Sequence, residues 1–407
     1  MANKLDISQL DFDGIKDNLK TFLKQQDEFT DYDFEGSGMN ILLDVLAYNT
    51  HYLGYNANML ANEMFLDSAD QRSSVVSLAK QVGYTPRSAS SSKATIDVLV
   101  NNGSGSSITM ARGTKFTSTV DGTSYSFVNN ADVSVSPVDG VYKFSNLDIF
   151  EGTYLNFKYT ANTSDQDQRF IIPNDNVDTT TLTVKVQNSS SDSTTNTYTL
   201  AQGITGLDST SEVYFLNEVE NGRFEVYFGD GVLGKAIADG NIVILDYITC
   251  NRDEPNGATT FTLSGNVGGF TNVTITTVDN AANGDGPESI ESIKFNAPRD
   301  FTSQDRAVTA DDYKVLVKSL FANAQSVQVY GGEDAATPDY GKVYISIKAK
   351  SGTNLTQLTK DNLVKSLKSF AVASVTPVII DPETTFITLT TTFKFDSSLT
   401  TKDVSTL

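Results

Sequence analysis

Few residues in this chain could do chemistry, and their spacing limits what each can do. Gly229, Gly231 and Gly234 in YFGDGVLGKAI spell a G-x-G-x-x-G directly after an apolar run, the spacing with which a strand-to-helix turn cradles a pyrophosphate. That chemistry needs a helix to open at the last glycine. Here Asp239-Gly240 breaks the chain shortly afterwards and another apolar run, IVILDYI, begins at once. The three glycines are therefore read as a structural β-turn that exploits positive φ. Asn283-Gly284-Asp285-Gly286 has the centre of an EF-hand loop, but Ala281 fills the first ligand position and Ser292 stands where the bidentate glutamate belongs. Asp31, Asp33 and Glu35 are spaced like paired carboxylates for hydrolysis. They lie just before a helix start, where acidic side chains are favoured without any catalytic role.

His51 is the only histidine and Cys250 the only cysteine. These counts exclude multi-histidine metal sites, all-cysteine zinc sites and an intramolecular disulfide, and they fit a reducing folding compartment. Any Ser-His-Asp arrangement would rest on His51, and no acidic or basic residue stands one helical turn from it in the sequence. Cys250 ends an apolar strand and reads as core. No catalytic, cofactor or metal site is expected, and the chain is read as a non-enzyme.

The elements that hold these residues fall into three regions. Residues 1–86 are helical: Asp11–Gln26, then a long helix capped by Ser37 and running to about Phe65, then a third capped by Ser68 and stopped at Gly83. The long helix carries Ile41, Leu42, Val45, Leu46, Tyr48, Tyr52, Leu53, Tyr55, Met59 and Leu60, an apolar face wider than a helical hairpin needs. Leu42, Leu46, Tyr48, Tyr52, Val75 and Val76 are the expected assembly interface. Residues 87–283 are rich in Thr, Ser, Asn, Gly and Val, with alternating runs such as TIDVLV punctuated by Asn-Gly and Asp-Gly pairs. That is a β-hairpin pattern. The polar tract Asn188–Thr197 is expected to be a mobile loop, and no repeat period points to a solenoid.

Residues 284–407 read as two helices (Pro287–Asn296 and Thr309–Leu320), strands Ser326–Tyr330 and Lys342–Lys350, helix Thr356–Phe370, and strands Thr376–Ile380 and Thr385–Phe395. Ser397–Leu407 reads as the opening of a further helix. The fold class is thus α+β and multidomain: an N-terminal helical bundle arm, a β-rich middle, and a C-terminal antiparallel sheet with helices on one face, the last expected to oligomerise.

The 407 residues have room for roughly two to four domains. Fifty acidic against thirty basic residues leave a net charge of −20, which repels phosphate backbones and anionic membrane faces. Neither nucleic acid nor membrane is an expected partner. No apolar run reaches the ~18 residues of a membrane span, and MANKLDISQLDFDG lacks the apolar core of a signal peptide.

DYDFEGS, LAYNT and RSSVV closely resemble the N-terminal region of the large baseplate wedge protein family of T-even-like contractile-tailed phages. FEVYFGDGVLGK, GNIVILDYITCN, NGDGPESIESIKFNAPRDF and RAVTADDYKVLV follow the order of baseplate-J-type proteins. Glu288 and Ile290 sit at that family's Pro-Glu-x-Ile, and Ala307, Val308, Thr309, Asp312 and Tyr313 match its helix start. The likeness runs from about residue 16 to 395 and is weakest over 87–215. It implies a structural part of the virion tail baseplate, synthesised and assembled in the host cytoplasm. The implied partners are other wedge proteins, a second copy of the chain, the tail hub and sheath-initiating proteins. Wedges would close into an inner ring around the hub that rearranges on contraction. T-even-like relatives continue beyond the position of Leu407, so residues 300–407 are expected to belong to a longer chain or to be completed by another subunit. A polysaccharide-binding or -degrading tail adhesin is the alternative; it would require a long periodic β-helix with carboxylates and aromatics lining a groove.

Overall fold

A computed structural model describes residues 11–26 and 35–383, apart from 102, 104, 140, 166–167, 202–206, 220–221, 304–305, 322–323, 336 and 350–353. Helix α1 (Phe12–Leu23) starts at Asp11, whose carboxylate accepts from the Gly14 N–H at 2.8 Å. Helix α2 (Gly38–Glu63) starts at Ser37, whose hydroxyl accepts from the Asn40 N–H at 3.0 Å, as expected. Helix α3 (Arg72–Gln81) begins later than expected. Gln71 occupies its cap position without a side-chain bond, and Ser68 instead donates to the Asn62 carbonyl at 2.7 Å, in the last turn of α2. Gly83, at φ +82°, ends α3 as expected.

The helices do not form one bundle. α1 packs on α2, burying Ile15, Leu43 and Ala47, with Lys16 and Asp44 paired at 2.5 Å. α3 packs on α4 (Ile290–Ser303) instead, through Ala69, Val75, Val76, Ala79, Ile293 and Ala297. Its apolar face is short and made of small residues, so one turn of α4 suffices to cover it. Against the expected span Pro287–Asn296, α4 starts three residues later and continues through Pro298 to Ser303.

Alternation builds the middle as expected. A six-stranded sheet runs in the order Thr262–Leu263, Lys115–Val120, Thr123–Asn129, Tyr142–Glu151, Lys93–Val100, Val273–Ala282. Ile96, Val98, Phe116, Phe127, Phe144 and Ile149 lie in its core. A seven-stranded sheet runs in the order Thr153–Thr160, Ile242–Thr249, Val177–Gln187, Thr195–Leu200, Val213–Glu218, Phe224–Phe228, Phe170–Ile171. Phe170, Val184, Val226, Val243 and Leu245 fill the core of that sheet. The expected mobile loop is in part strand: Thr195–Leu200 pairs antiparallel with Val177–Gln187. Asp192 closes the turn between them, accepting from Asn188 at 2.7 Å and the Thr194 N–H at 2.9 Å. Threonine's β preference outweighs the tract's polarity.

In the C-terminal region α5 (Ala310–Leu320) and α6 (Gln357–Leu367) share a core with the strands Ala324–Gly331, Lys342–Ala349 and Thr376–Ile380. The described sheet is mixed rather than antiparallel. Its first pair is antiparallel, whereas Lys342–Ala349 and Thr376–Ile380 are parallel. α6 lies between them in sequence, and a helical crossover returns the chain in the same direction. The expected strand Thr385–Phe395 and helix Ser397–Leu407 lie outside the described residues.

Candidate assembly surface

α2 is long enough to span about 39 Å at 1.5 Å per residue, whereas α1 covers about 18 Å. Two adjacent stripes therefore stand bare. Ile41, Val45, Tyr48, Tyr52, Tyr55 and Met59 recur at spacings of four and three residues, the spacing of a helix–helix seam, and all are exposed. Beside them lie Leu42, Leu46, Leu53 and Leu60. Leu42 is 52 % exposed, Leu46 45 % and Tyr52 55 %, and the Tyr48 and Tyr52 rings sit 5.9 Å apart. An uncovered apolar face of this extent is the mark of an interaction surface.

The structure thus leaves Leu42, Leu46, Tyr48 and Tyr52 exposed, Tyr48 and Tyr52 on the first stripe and Leu42 and Leu46 on the second. It does not bring Val75 and Val76 to either. Val75 is fully buried and Val76 nearly so against α4, because the chain's own Ile293 and Ala297 occupy that side of α3. His51 is half-buried on α2.

The glycine turn uses up its own donors. The Gly231 N–H donates to the Gly234 carbonyl at 3.0 Å, and the Gly234 N–H donates to the Asp208 carbonyl at 3.0 Å. Asp230 accepts from the Val232 and Leu233 N–H groups, each at 2.9 Å. Gly231 and Gly234 have φ of +87° and +91°, and the chain after them enters the strand Ile242–Thr249, with no helix between. A phosphate would find no free ring of N–H groups here. At the EF-hand-like segment, Asp285 pairs with Arg87 at 2.8 Å and the Gly284 N–H donates to Asn256 at 3.0 Å. Among the described residues no group of three or more His, Cys, Asp or Glu side chains is placed to hold a metal. Asp31 and Asp33 lie outside the described residues.

The matched helix start is a capping box. The Thr309 hydroxyl accepts from the Asp312 N–H at 3.3 Å, and Asp312 accepts from the Thr309 N–H at 2.7 Å. Ala307 and Tyr313 are buried in the core beneath it.

The sequence alone missed a polar seam that fastens α3 to the body. Arg72 donates to both oxygens of Glu218, at 2.6 and 2.9 Å, and to the Glu288 carbonyl. The buried Glu288 carboxylate accepts from the Tyr84 hydroxyl, the Arg87 N–H, Ser292 and Asn296, at distances between 2.7 and 3.1 Å. Burial, with Glu288 beside it, drives the Tyr84 hydroxyl's pKa up. These partners come from segments as far as 216 residues apart, so no local pattern could have announced them.

Family models for one kind of protein match this architecture in chain order. The helical domain of baseplate wedge protein gp6-like proteins matches residues 11–84, the third domain of bacteriophage baseplate wedge protein gp6 matches 156–256, and C-terminal domain I of baseplate structural protein gp6 matches 309–380. Baseplate wedge protein gp6 of Enterobacteria phage T4 is 32 % identical over 410 residues, covering 92 % of this chain and 59 % of that protein. The chain belongs to the gp6-like family of phage baseplate wedge proteins. It spans about three fifths of the length of that curated relative. Among solved structures, a cryo-EM structure of the anti-feeding prophage (AFP) baseplate aligns with 91 % of this chain and 78 % of its own, at TM-score 0.32 and 10 % identity. No helix among the described residues is long and apolar enough to cross a membrane.

Proposed function

We propose that this chain is a structural subunit of a contractile-tail baseplate wedge, whose exposed α2 face is buried against other wedge subunits, a second copy among them. The observation that carries the reading is the bare double stripe on α2, in a chain of the wedge family. Burying such a face is worth about 25 cal/mol per Å² of apolar surface removed from water, enough to drive assembly without any chemistry. In this reading the chain turns over no substrate, resides in the virion tail baseplate after assembly in the host cytoplasm, and meets the hub and sheath-initiating proteins. The finer picture is an inner ring around the hub that rearranges as the sheath contracts. The adhesin alternative needs a long periodic β-helix, whereas the middle residues form sheets of six and seven strands.

Co-expression with the neighbouring tail proteins, followed by imaging and mass measurement of the product, tests the proposal. Leu46→Asp is expected to abolish wedge formation while the β-rich middle still folds, because an unpaired carboxylate in a buried apolar face is costly. A normal wedge yield from that variant would overturn the reading.

A further inference from the structure

Helix α2 carries the exposed face, yet among the described helices and strands its extensive packing is with α1 alone. The direction in which that face points is therefore set by the short elbow from Met64 to Gln71. Ala69 at the elbow is fully buried and Leu66 packs beside it, both in the α3–α4 cluster. The Ser68 hydroxyl closes the end of α2 on the Asn62 carbonyl.

Glu63, the last residue of α2, reaches across the elbow. Its Oε1 accepts from the Asp70 N–H at 2.8 Å, and both of its oxygens lie 3.3 Å from the Gln71 N–H. α3 has no side-chain cap of its own at Gln71; the Glu63 carboxylate stands instead on the two N–H groups just before its first turn, at the positive end of the α3 dipole. Partial burial pushes the Glu63 carboxyl up, but the donations from Asp70, Ser74 and Gln71 outweigh it and hold the group below the usual carboxylate range. Beyond the elbow, Arg72 pins α3 to the strand Val213–Glu218 and to the residues leading into α4.

We infer that Glu63 is the positioning residue of the assembly arm: by bracketing the start of α3 from the end of α2 it locks the angle between the two helices, and so fixes where the apolar face is presented. The inference rests on the reading of α2 as the assembly face for its purpose, but not for its geometry.

The test uses the full chain with Asn49→Cys on α2 and Ser77→Cys on α3, both exposed positions, each carrying a nitroxide label. Cys250 is buried and stays unlabelled. Pulsed electron–electron distance measurement is expected to give one narrow distribution. Glu63→Ala should lose that single narrow peak, whereas Glu63→Gln, which keeps an acceptor oxygen at the same reach, should retain it. In the co-expression assay Glu63→Ala should lower wedge yield although every residue of the α2 face is intact. An unchanged distribution in Glu63→Ala, or a broad one in the labelled parent, overturns the inference whatever the wedge yield. If Leu46→Asp assembles normally while Glu63→Ala still broadens the distribution, the assembly reading fails and the elbow stands.

Discussion

Arg72 and Glu218 face each other as a two-bond pair, Nε to Oε1 at 2.6 Å and Nη2 to Oε2 at 2.9 Å, with the Glu218 side chain only 1 % exposed. The parallel bonds make use of the planar fork that a lysine lacks. Arg72→Met would leave that buried carboxylate without its cation. The expected cost is roughly 3–5 kcal/mol, read as a lower urea midpoint. The charge-free pair Arg72→Met/Glu218→Leu should be clearly milder than the single change; equal losses would show that the unpaired charge is not the cause.

Asp246 contributes to the acid limb of stability. Burial pushes its carboxyl up, but donations from Asn156 at 2.5 Å and Tyr154 at 2.8 Å, with Arg112 and Lys185 beside it at 3.2 and 3.3 Å, more than offset this and hold it below the usual range. With the folded value below the unfolded one of about 4, the ionised group contributes stability above that pH, and loses it as pH falls through the folded value. Denaturant midpoints of the natural chain and of Asp246→Asn should differ at pH 7 and converge as pH drops below about 4. A constant gap would refute this.

Cys250 is inert while the chain is folded. Its thiol donates to the Asn176 carbonyl at 3.5 Å, and burial pushes its pKa up to about 11. A chromogenic disulfide reagent at pH 8 should find no reactive thiol until denaturant is added, and then one per chain. Stoichiometric labelling of the native chain would contradict the placement.

Gly229 is needed for close approach rather than for a ligand. A Cβ there would meet the Gly234 backbone at 2.4 Å, so Gly229→Ala should destabilise by roughly 1–3 kcal/mol through overpacking. Calorimetric titration of the natural chain with ATP, NAD or calcium is expected to show no saturable heat. A signal removed by Gly231→Val or Asp285→Ala would reverse this reading.

What could be read from the sequence was what short-range physics decides. Ser37 and Thr309 announce their helices because a cap acts over three residues, and alternation such as TIDVLV announces its strand because burial repeats every second residue. Ser68 misled for the same reason: a hydroxyl near a helix start is a sound cap signal, but a carbonyl at the end of α2 lay nearer. Val75 and Val76 are recognisably apolar, which is why they read as assembly interface; that the chain itself covers them depends on Ile293 and Ala297, more than two hundred residues away. The width of the α2 face was legible from its residues, whereas the elbow that aims it, Glu63 on Asp70 and Gln71, follows no recognised motif.

The contact of α3 with α4 also has a consequence for synthesis. Arg72 leaves the ribosome 216 residues before Glu288, which at typical elongation rates is roughly 10–40 s. Throughout that interval α3 has neither Ile293 and Ala297 to cover it nor the Glu288 carbonyl to receive Arg72. The α1–α2 hairpin can form early, but its direction cannot be fixed until most of the chain has been translated. A nascent chain would thus expose an apolar helix before the contacts that aim it have been synthesised.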